Sequence, residues 1–336
     1  MTDGHGDDTY RYGRIRANFS SNVYAHFNHA ALYAHLATRL QTVNHYPEPV
    51  ARRLEAALAA AMGLEERQVV VTNGATEAIY LVAQTMRRSR SAILQPAFAE
   101  YADACRLHEH KLAAFYRLED LPAEAEVAWI CNPGNPTGAV LEREALLDVM
   151  ERRRETLFVL DASYAPYTLK PLVEVAVAAE MPNVVMLHSM TKEYGIPGLR
   201  LGYLTACAAL AERIGLQRQP WAVNTLAQEA GLFLLRHREE YVLPVEKLLE
   251  ERQRMAAALQ RLGVVEVWPS DTHILLCRLR MGNAASLKEY LAERCGLLIR
   301  DAGNFEGLDE RFFRIAVQSV DEDDALLRGI GEWMSL

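Results

Sequence analysis

From about residue 47 onward, short apolar runs alternate with longer amphipathic stretches, and this alternation limits the fold more than any other feature. "PEPVARRLEAALAAAMGL" puts prolines at a plausible first turn and spaces Val50, Leu54, Leu58 and Met62 four apart, which is one face of a helix. "QVVVT" reads as a buried strand and "GATEAIYLVAQTM" as the helix that follows it. The strand pattern recurs in "SAILQ", "KLAAFY", "EVAWIC", "TLFVLD" and "NVVMLH", mostly with helical pattern between, and "RLGYLTA" is a candidate further strand. Strands alternating with helices predict an α/β fold with a mainly parallel sheet sandwiched by helices. After Pro220 a mainly helical stretch runs to about Leu262, with a break or kink expected at Pro244. Beyond it "VVEVW", "THILLCRL", "NAASLKEYLAERCG", "LLIR" and "FFRIAVQS" predict a smaller α+β unit. The expected division is an N-terminal arm, or part of the small domain, over residues 1–45, a large domain over 46–232 and a small domain over 233–336. Periodicity does not say where the arm packs.

Composition narrows the partners. The net charge is -8 with acids and bases interspersed, so no basic stripe offers itself to a nucleic-acid backbone. The longest apolar runs are too short to cross a membrane, and the start "MTDGHGDDTYRYGR" is polar and acidic, which points to a cytoplasmic protein without an export signal. Five widely spaced cysteines with no CxxC pair suggest neither a disulfide framework nor a zinc site; small core residues are the expectation.

In open α/β sheets ligands sit beyond the carboxyl ends of the strands. After "QVVVT" come Gly74, Ala75 and Thr76, where a new helix presents free N–H groups; this is either a phosphate cradle or an ordinary strand-to-helix turn. After "EVAWIC" the order "NPGNPTG" makes a rigid turn that could aim the Asn135 amide at a ligand, although an exposed loop has similar composition. Asp161 ends the apolar run "TLFVL" and, if buried, needs a cationic or hydrogen-bonding partner; the blander role is a helix cap. "HSMTKEYGIPGLRLGYL" then sets Lys192 beside Ser189 and Thr191, with Arg200 beyond a Pro-Gly turn. An amine kept near other cations or out of water titrates low and becomes a nucleophile, whereas a lone lysine is usually a surface charge.

Taken as an ordered set, "SMTK", "GLRLGYL", "NPGNPTG", Asp161 and Gly74 to Thr76 resemble the fold type I pyridoxal-phosphate enzymes of the aminotransferase class I and II group. The resemblance implies pyridoxal 5'-phosphate as cofactor. Lys192 would bond to it covalently, Asp161 would pair with its ring nitrogen, and Asn135 and Tyr164 would bond its ring hydroxyl oxygen. Ser189, Thr191, Arg200 and the Gly74, Ala75, Thr76 backbone would hold its phosphate, and Phe98 in "PAFAEY" would stack on the ring. Tyr46 in "HYPEP" matches a tyrosine that reaches the partner subunit's phosphate, which implies a homodimer with shared active sites.

Within that group the chain is most similar to the threonine-phosphate decarboxylases of cobalamin biosynthesis and the neighbouring histidinol-phosphate aminotransferases. His5-Gly6, "NFSSNV", "PAFAEY", "QPWAVN" and "LLIRDAGNFEGLDERFFRIAVQS" favour the decarboxylases. By that analogy His5, Asn22, Arg300 and Arg314 would contact the carboxylate and phosphate of a small phosphorylated amino-acid substrate. The implied reaction is decarboxylation of L-threonine O-3-phosphate to (R)-1-amino-2-propanol O-2-phosphate. A histidinol-phosphate-like aminotransferase and a non-catalytic protein of this fold are the alternatives. Gln318, where a basic residue would have helped to bind a phosphate, and the short, unusual segment between His5 and Asn22 depart from the family pattern.

Overall fold

The computed structural model describes residues 7–335, so His5 lies outside the described residues. Strands in chain order are β1 (Ala17–Asn18), β2 (Val69–Thr72), β3 (Arg90–Leu94), β4 (Lys111–Phe115), β5 (Val127–Cys131), β6 (Leu157–Asp161), β7 (Val184–Ser189), β8 (Gly202–Ala206), β9 (Val265–Val267), β10 (Ile274–Leu279), β11 (Leu297–Leu298), β12 (Arg300–Asp301) and β13 (Phe312–Ala316). β2 to β8 form a seven-stranded sheet in the order β2-β8-β7-β6-β5-β3-β4. β3 to β7 pair in parallel, while β8 runs against both of its neighbours, β2 and β7. The mainly parallel sheet read from the sequence is present, and "RLGYLTA" supplies its one reversed strand.

Burial follows the two-residue period of a strand. Val127 and Trp129 pack with helices Gly74–Thr85 and Ala99–Leu107, whereas Ala128 and Ile130 pack with helices Arg143–Arg152 and Val175–Glu180. With both faces covered, all five residues of β5 and of β6 are buried, as a parallel sheet requires. Helix Arg52–Met62 buries Leu54 and Leu58 on the expected face. It starts after Pro47 and Pro49 rather than on them, because the residue before a proline is driven toward extended backbone. Pro244 caps helix Val245–Arg261 and separates it from helix Thr225–Arg236.

β9, β10, β12 and β13 form an antiparallel sheet in the order β12-β13-β10-β9, backed by helices Val245–Arg261 and Val320–Trp333. The stretch "NAASLKEYLAERCG" is helix Ala284–Tyr290 followed by one wider turn, Leu291–Cys295, which Gly296 ends at φ 65°. The arm that periodicity could not place runs along this smaller sheet. β1 pairs in parallel with β11, and the amide of Ala316 donates to the Phe19 carbonyl at 2.9 Å. A 2.6 Å ion pair between Asp8 and Lys288 pins its start.

Cys105, Cys131 and Cys277 are buried, Cys207 and Cys295 half-buried, and all five are free thiols. Among the described residues no helix is long and apolar enough to cross a membrane.

Candidate active site

A cavity of about 370 Å³ opens at the edge of the large sheet where the parallel strands end. Ala75 and Thr76 reach it from the turn after β2, Phe98 from the turn after β3, and Asn135 from the loop after β5. Asp161 ends β6 and Tyr164 follows it; Ser189 ends β7, with Thr191 and Lys192 just after it. Because β8 is reversed, the residues before it lie at this same edge, which is how Arg200 arrives. The arm contributes Asn22, and the smaller sheet contributes Arg300 and Arg314. Tyr46 does not line the cavity of its own chain: it is 85% exposed and tilts against Trp221 at 5.3 Å.

Four cations (Lys192, Arg200, Arg300, Arg314) and two carboxylates (Asp7, Asp161) face the space among the described residues, so it favours anions. One corner has the makings of a phosphate site. Helix Gly74–Thr85 begins there without a side-chain cap, the Thr191 hydroxyl is buried with no hydrogen-bond partner, and the Arg200 guanidinium lies against Gly74. Gly74 sits at φ 79°, and a Cβ on it would stand 2.7 Å from Arg200 Nη2. Gly74→Ala therefore strains the backbone by about 1 kcal/mol and displaces the guanidinium. The expected result is roughly tenfold weaker binding of a phosphate-bearing ligand by equilibrium titration; unchanged affinity would remove Arg200 from this corner.

At the opposite end Asp161 is 6% exposed, and both of its oxygens are engaged. Oδ1 accepts from the amide of Ser163 at 2.9 Å, and Oδ2 accepts from the Tyr101 hydroxyl at 2.5 Å. It is thus a buried carboxylate supplied by neutral donors rather than a helix cap, and it lines a cavity that holds no other anion near the strand ends among the described residues. Phe98 stands edge-on to Tyr101, with centroids 6.0 Å apart at 89°.

Between these ends the Lys192 amine donates to the Ser21 carbonyl at 2.5 Å. Burial, and then the Arg314 guanidinium, lower it from 10.5 to about 7; Arg200 adds to this, while Asp7 and Asp161 oppose it. Because the folded value is the lower one, the cost of charging this amine is full below pH 7 and fades as the pH rises toward 10.5. Ligand-free stability through this group accordingly rises with pH across that window. Nucleophilic capture of an aldehyde by Lys192 should also rise through pH 7 and level off above it, as borohydride trapping can follow. A rate still climbing at pH 9 would mean an ordinary surface amine.

Asn22 is fully buried at φ 54° and donates to the Tyr164 hydroxyl at 3.1 Å, while its own amide oxygen has no partner. Burial raises the Tyr164 phenol to about 12, with Arg314 and Asn22 pulling the other way, so it stays protonated. Asn22 and Arg200, at φ 57°, both hold left-handed backbone that non-glycine residues rarely adopt, and both line the cavity.

The smaller sheet supplies the strongest anion signal. Arg300 and Arg314 stand directly opposite each other on β12 and β13, so their side chains leave the same face. Both are buried, at 7% and 4% exposure. Arg314 donates to the Asn135 side-chain oxygen at 2.6 Å and to the Ser20 carbonyl; Arg300 donates to Asn304 at 2.8 Å. Among the described residues neither has a carboxylate within 4.0 Å. Burial lowers Arg314 to about 9, a measure of how poorly this cation is compensated. Like charges facing each other across a ladder destabilise it unless an anion lies between them.

Three participants escaped the sequence reading. Tyr101 bonds Asp161; Tyr167 donates to the Lys192 carbonyl at 2.7 Å and stacks on His273 at 3.8 Å; Asp7 reaches the cavity from the arm. Only Tyr101 had a signal: it lies three residues after Phe98, one helical turn away.

The family model described as aminotransferase class I and II matches residues 14–330. The threonine-phosphate decarboxylase of Salmonella typhimurium is 31% identical over 93% of this chain and 90% of its own. A histidinol-phosphate aminotransferase of Caldanaerobacter subterraneus is 29% identical over 87% of this chain and 85% of its own. The crystal structure of L-threonine-O-3-phosphate decarboxylase from Porphyromonas gingivalis superposes with a TM-score of 0.93 at 38% identity, covering 95% of this chain and 100% of that one. With the family model matched over residues 14–330 and the fold matched over nearly the whole length, the chain belongs to the aminotransferase class I and II family, whose enzymes bind pyridoxal 5'-phosphate.

Proposed function

We propose that this protein decarboxylates L-threonine O-3-phosphate to (R)-1-amino-2-propanol O-2-phosphate. The observation that carries the reading is the buried Arg300 and Arg314 pair, which has no carboxylate partner among the described residues and shares a cavity with a lysine whose amine titrates near 7. A substrate with both a carboxylate and a phosphate supplies the anions this pair lacks. The relatives at 31% and 38% identity, whose names specify threonine phosphate, support the same choice.

The donor set also suits the cofactor. Thr191, Ser189, Arg200 and the Gly74 to Thr76 backbone would take its phosphate, Asp161 the ring nitrogen, and Phe98 a ring face. Tyr164 and the amide nitrogen of Asn135 would take the ring hydroxyl oxygen, since the Asn135 oxygen is already given to Arg314. When bound, the cofactor supplies an electron sink for the pair left on Cα. Arg300, Arg314 and Asn22 would bind and orient the two anionic groups, and His5 is proposed to join them. Lys192 would hold the cofactor covalently, and its amine would be placed to give Cα its proton after carbon dioxide leaves.

Tyr46 would serve a second copy. Its exposed ring, with Leu40, Val43 and Trp221 also exposed nearby in sequence or contact, supports a homodimer in which it reaches the partner's phosphate site. A single-chain mass by sedimentation would exclude this arrangement.

The deciding experiment offers L-threonine O-3-phosphate to the purified protein and measures released carbon dioxide beside amino transfer to 2-oxoglutarate. Carbon dioxide without a keto-acid requirement is expected. Keto-acid-dependent turnover without carbon dioxide would instead assign the histidinol-phosphate-like aminotransferase, a reading supported by the relative at 29% identity.

A further inference from the structure

We infer that Tyr101 is a positioning residue that holds the Asp161 carboxylate toward the cofactor's ring nitrogen while steadying Phe98 against the ring's face; this rests on the cofactor roles proposed above. The Tyr101 ring is 1% exposed, and its hydroxyl donates to Asp161 Oδ2 at 2.5 Å. The ring itself is fixed on two sides: it stacks on the fully buried Trp129 at 5.7 Å and meets Phe98 edge-on at 6.0 Å. The first anchor is held by the large sheet, since Trp129 lies on β5 and its indole N–H donates to Ser91 on β3.

The bond has a chemical direction. Burial, and then the neighbouring Asp161 charge, push the phenol well above its usual range, so it stays neutral and can only donate to the carboxylate. Asp161 has just one other described donor, the Ser163 amide. Without the phenol, a carboxylate that is 6% exposed loses half of its described donors and with them its fixed direction toward the cavity. A carboxylate that is free to turn away no longer balances a protonated ring nitrogen. Tyr101 therefore acts at a distance on the electron-withdrawing strength of the ring.

The test separates this from space filling. Apoprotein carrying Tyr101→Phe, which keeps the ring and removes only the hydroxyl, is titrated with pyridoxal 5'-phosphate and with its analogue bearing carbon in place of the ring nitrogen. About tenfold weaker binding of the natural cofactor is expected, with the carbon analogue bound as tightly as by the parent. In an Asp161→Asn background the same substitution should cost nothing further. Equal losses for both ligands, or no loss for either, would overturn the inference; failure of the parent protein to bind the natural cofactor would overturn the underlying cofactor reading as well. A second measurement needs no variant: in the parent holoenzyme with labelled tyrosine, the Tyr101 hydroxyl proton should resonate far downfield, as a short charge-assisted bond requires. An ordinary phenol position would also overturn it.

Discussion

Replacing Lys192 with alanine is expected to abolish borohydride-reducible attachment of pyridoxal 5'-phosphate and to lower turnover by at least about 10⁴-fold. The amine sits in a cavity with three guanidinium groups, and its lowered titration leaves a large neutral fraction near pH 7. No other lysine lines that space among the described residues, so none of them is placed to replace Lys192 in the proposed attachment. The helix bearing it, Met190–Tyr194, is short and buried on one side, but alanine suits a helix, so the variant should fold. Attachment that survives in the variant, read by mass after reduction, would place the covalent chemistry elsewhere.

Arg314→Met should separate function from stability. The arginine is 4% exposed and donates to Asn135 and Ser20, and burial pulls it down to about 9, so the empty protein holds its charge at a cost. Methionine fills similar volume and forgoes that cost, against two lost hydrogen bonds worth about 1 to 3 kcal/mol each. The ligand-free protein should be at least as stable as the parent in thermal unfolding. Toward L-threonine O-3-phosphate, kcat/KM should nonetheless fall about a thousandfold, because a buried charge pair formed on binding is worth several kcal/mol. A purely structural arginine would give the reverse pattern, with lower melting and largely retained kcat/KM.

Much of the cofactor end of this site is legible in the chain because it is local. Gly74, Asn135, Asp161 and Lys192 each end or follow a strand that its own composition announces, and in a parallel sheet those ends share one edge. Arg200 is the instructive exception. It precedes its strand rather than following it, and it reaches the same edge only because β8 is reversed, a fact carried by pairing partners and not by periodicity. Local sequence leaves Asp161 open to a helix-cap role; the Tyr101 hydroxyl and Ser163 amide on its oxygens decide against it. The C-terminal helix Val320–Trp333 also carries a local signal, its Ser319–Glu322 capping box.

By itself, the sequence determined the mainly parallel sheet, the smaller unit after it, the family and the strand ends whose residues line the cavity. Tertiary structure decided what lies between elements. Arg300 and Arg314 are fourteen residues apart, and only the antiparallel register of β12 and β13 makes them neighbours. The hydroxyl of Tyr101 meets Asp161 across 60 residues, and the arm brings Ser21 to Lys192 across 171. The reason is physical: side-chain periodicity reports which face of one element is buried, whereas strand register and the docking of an arm depend on what the rest of the chain packs against it.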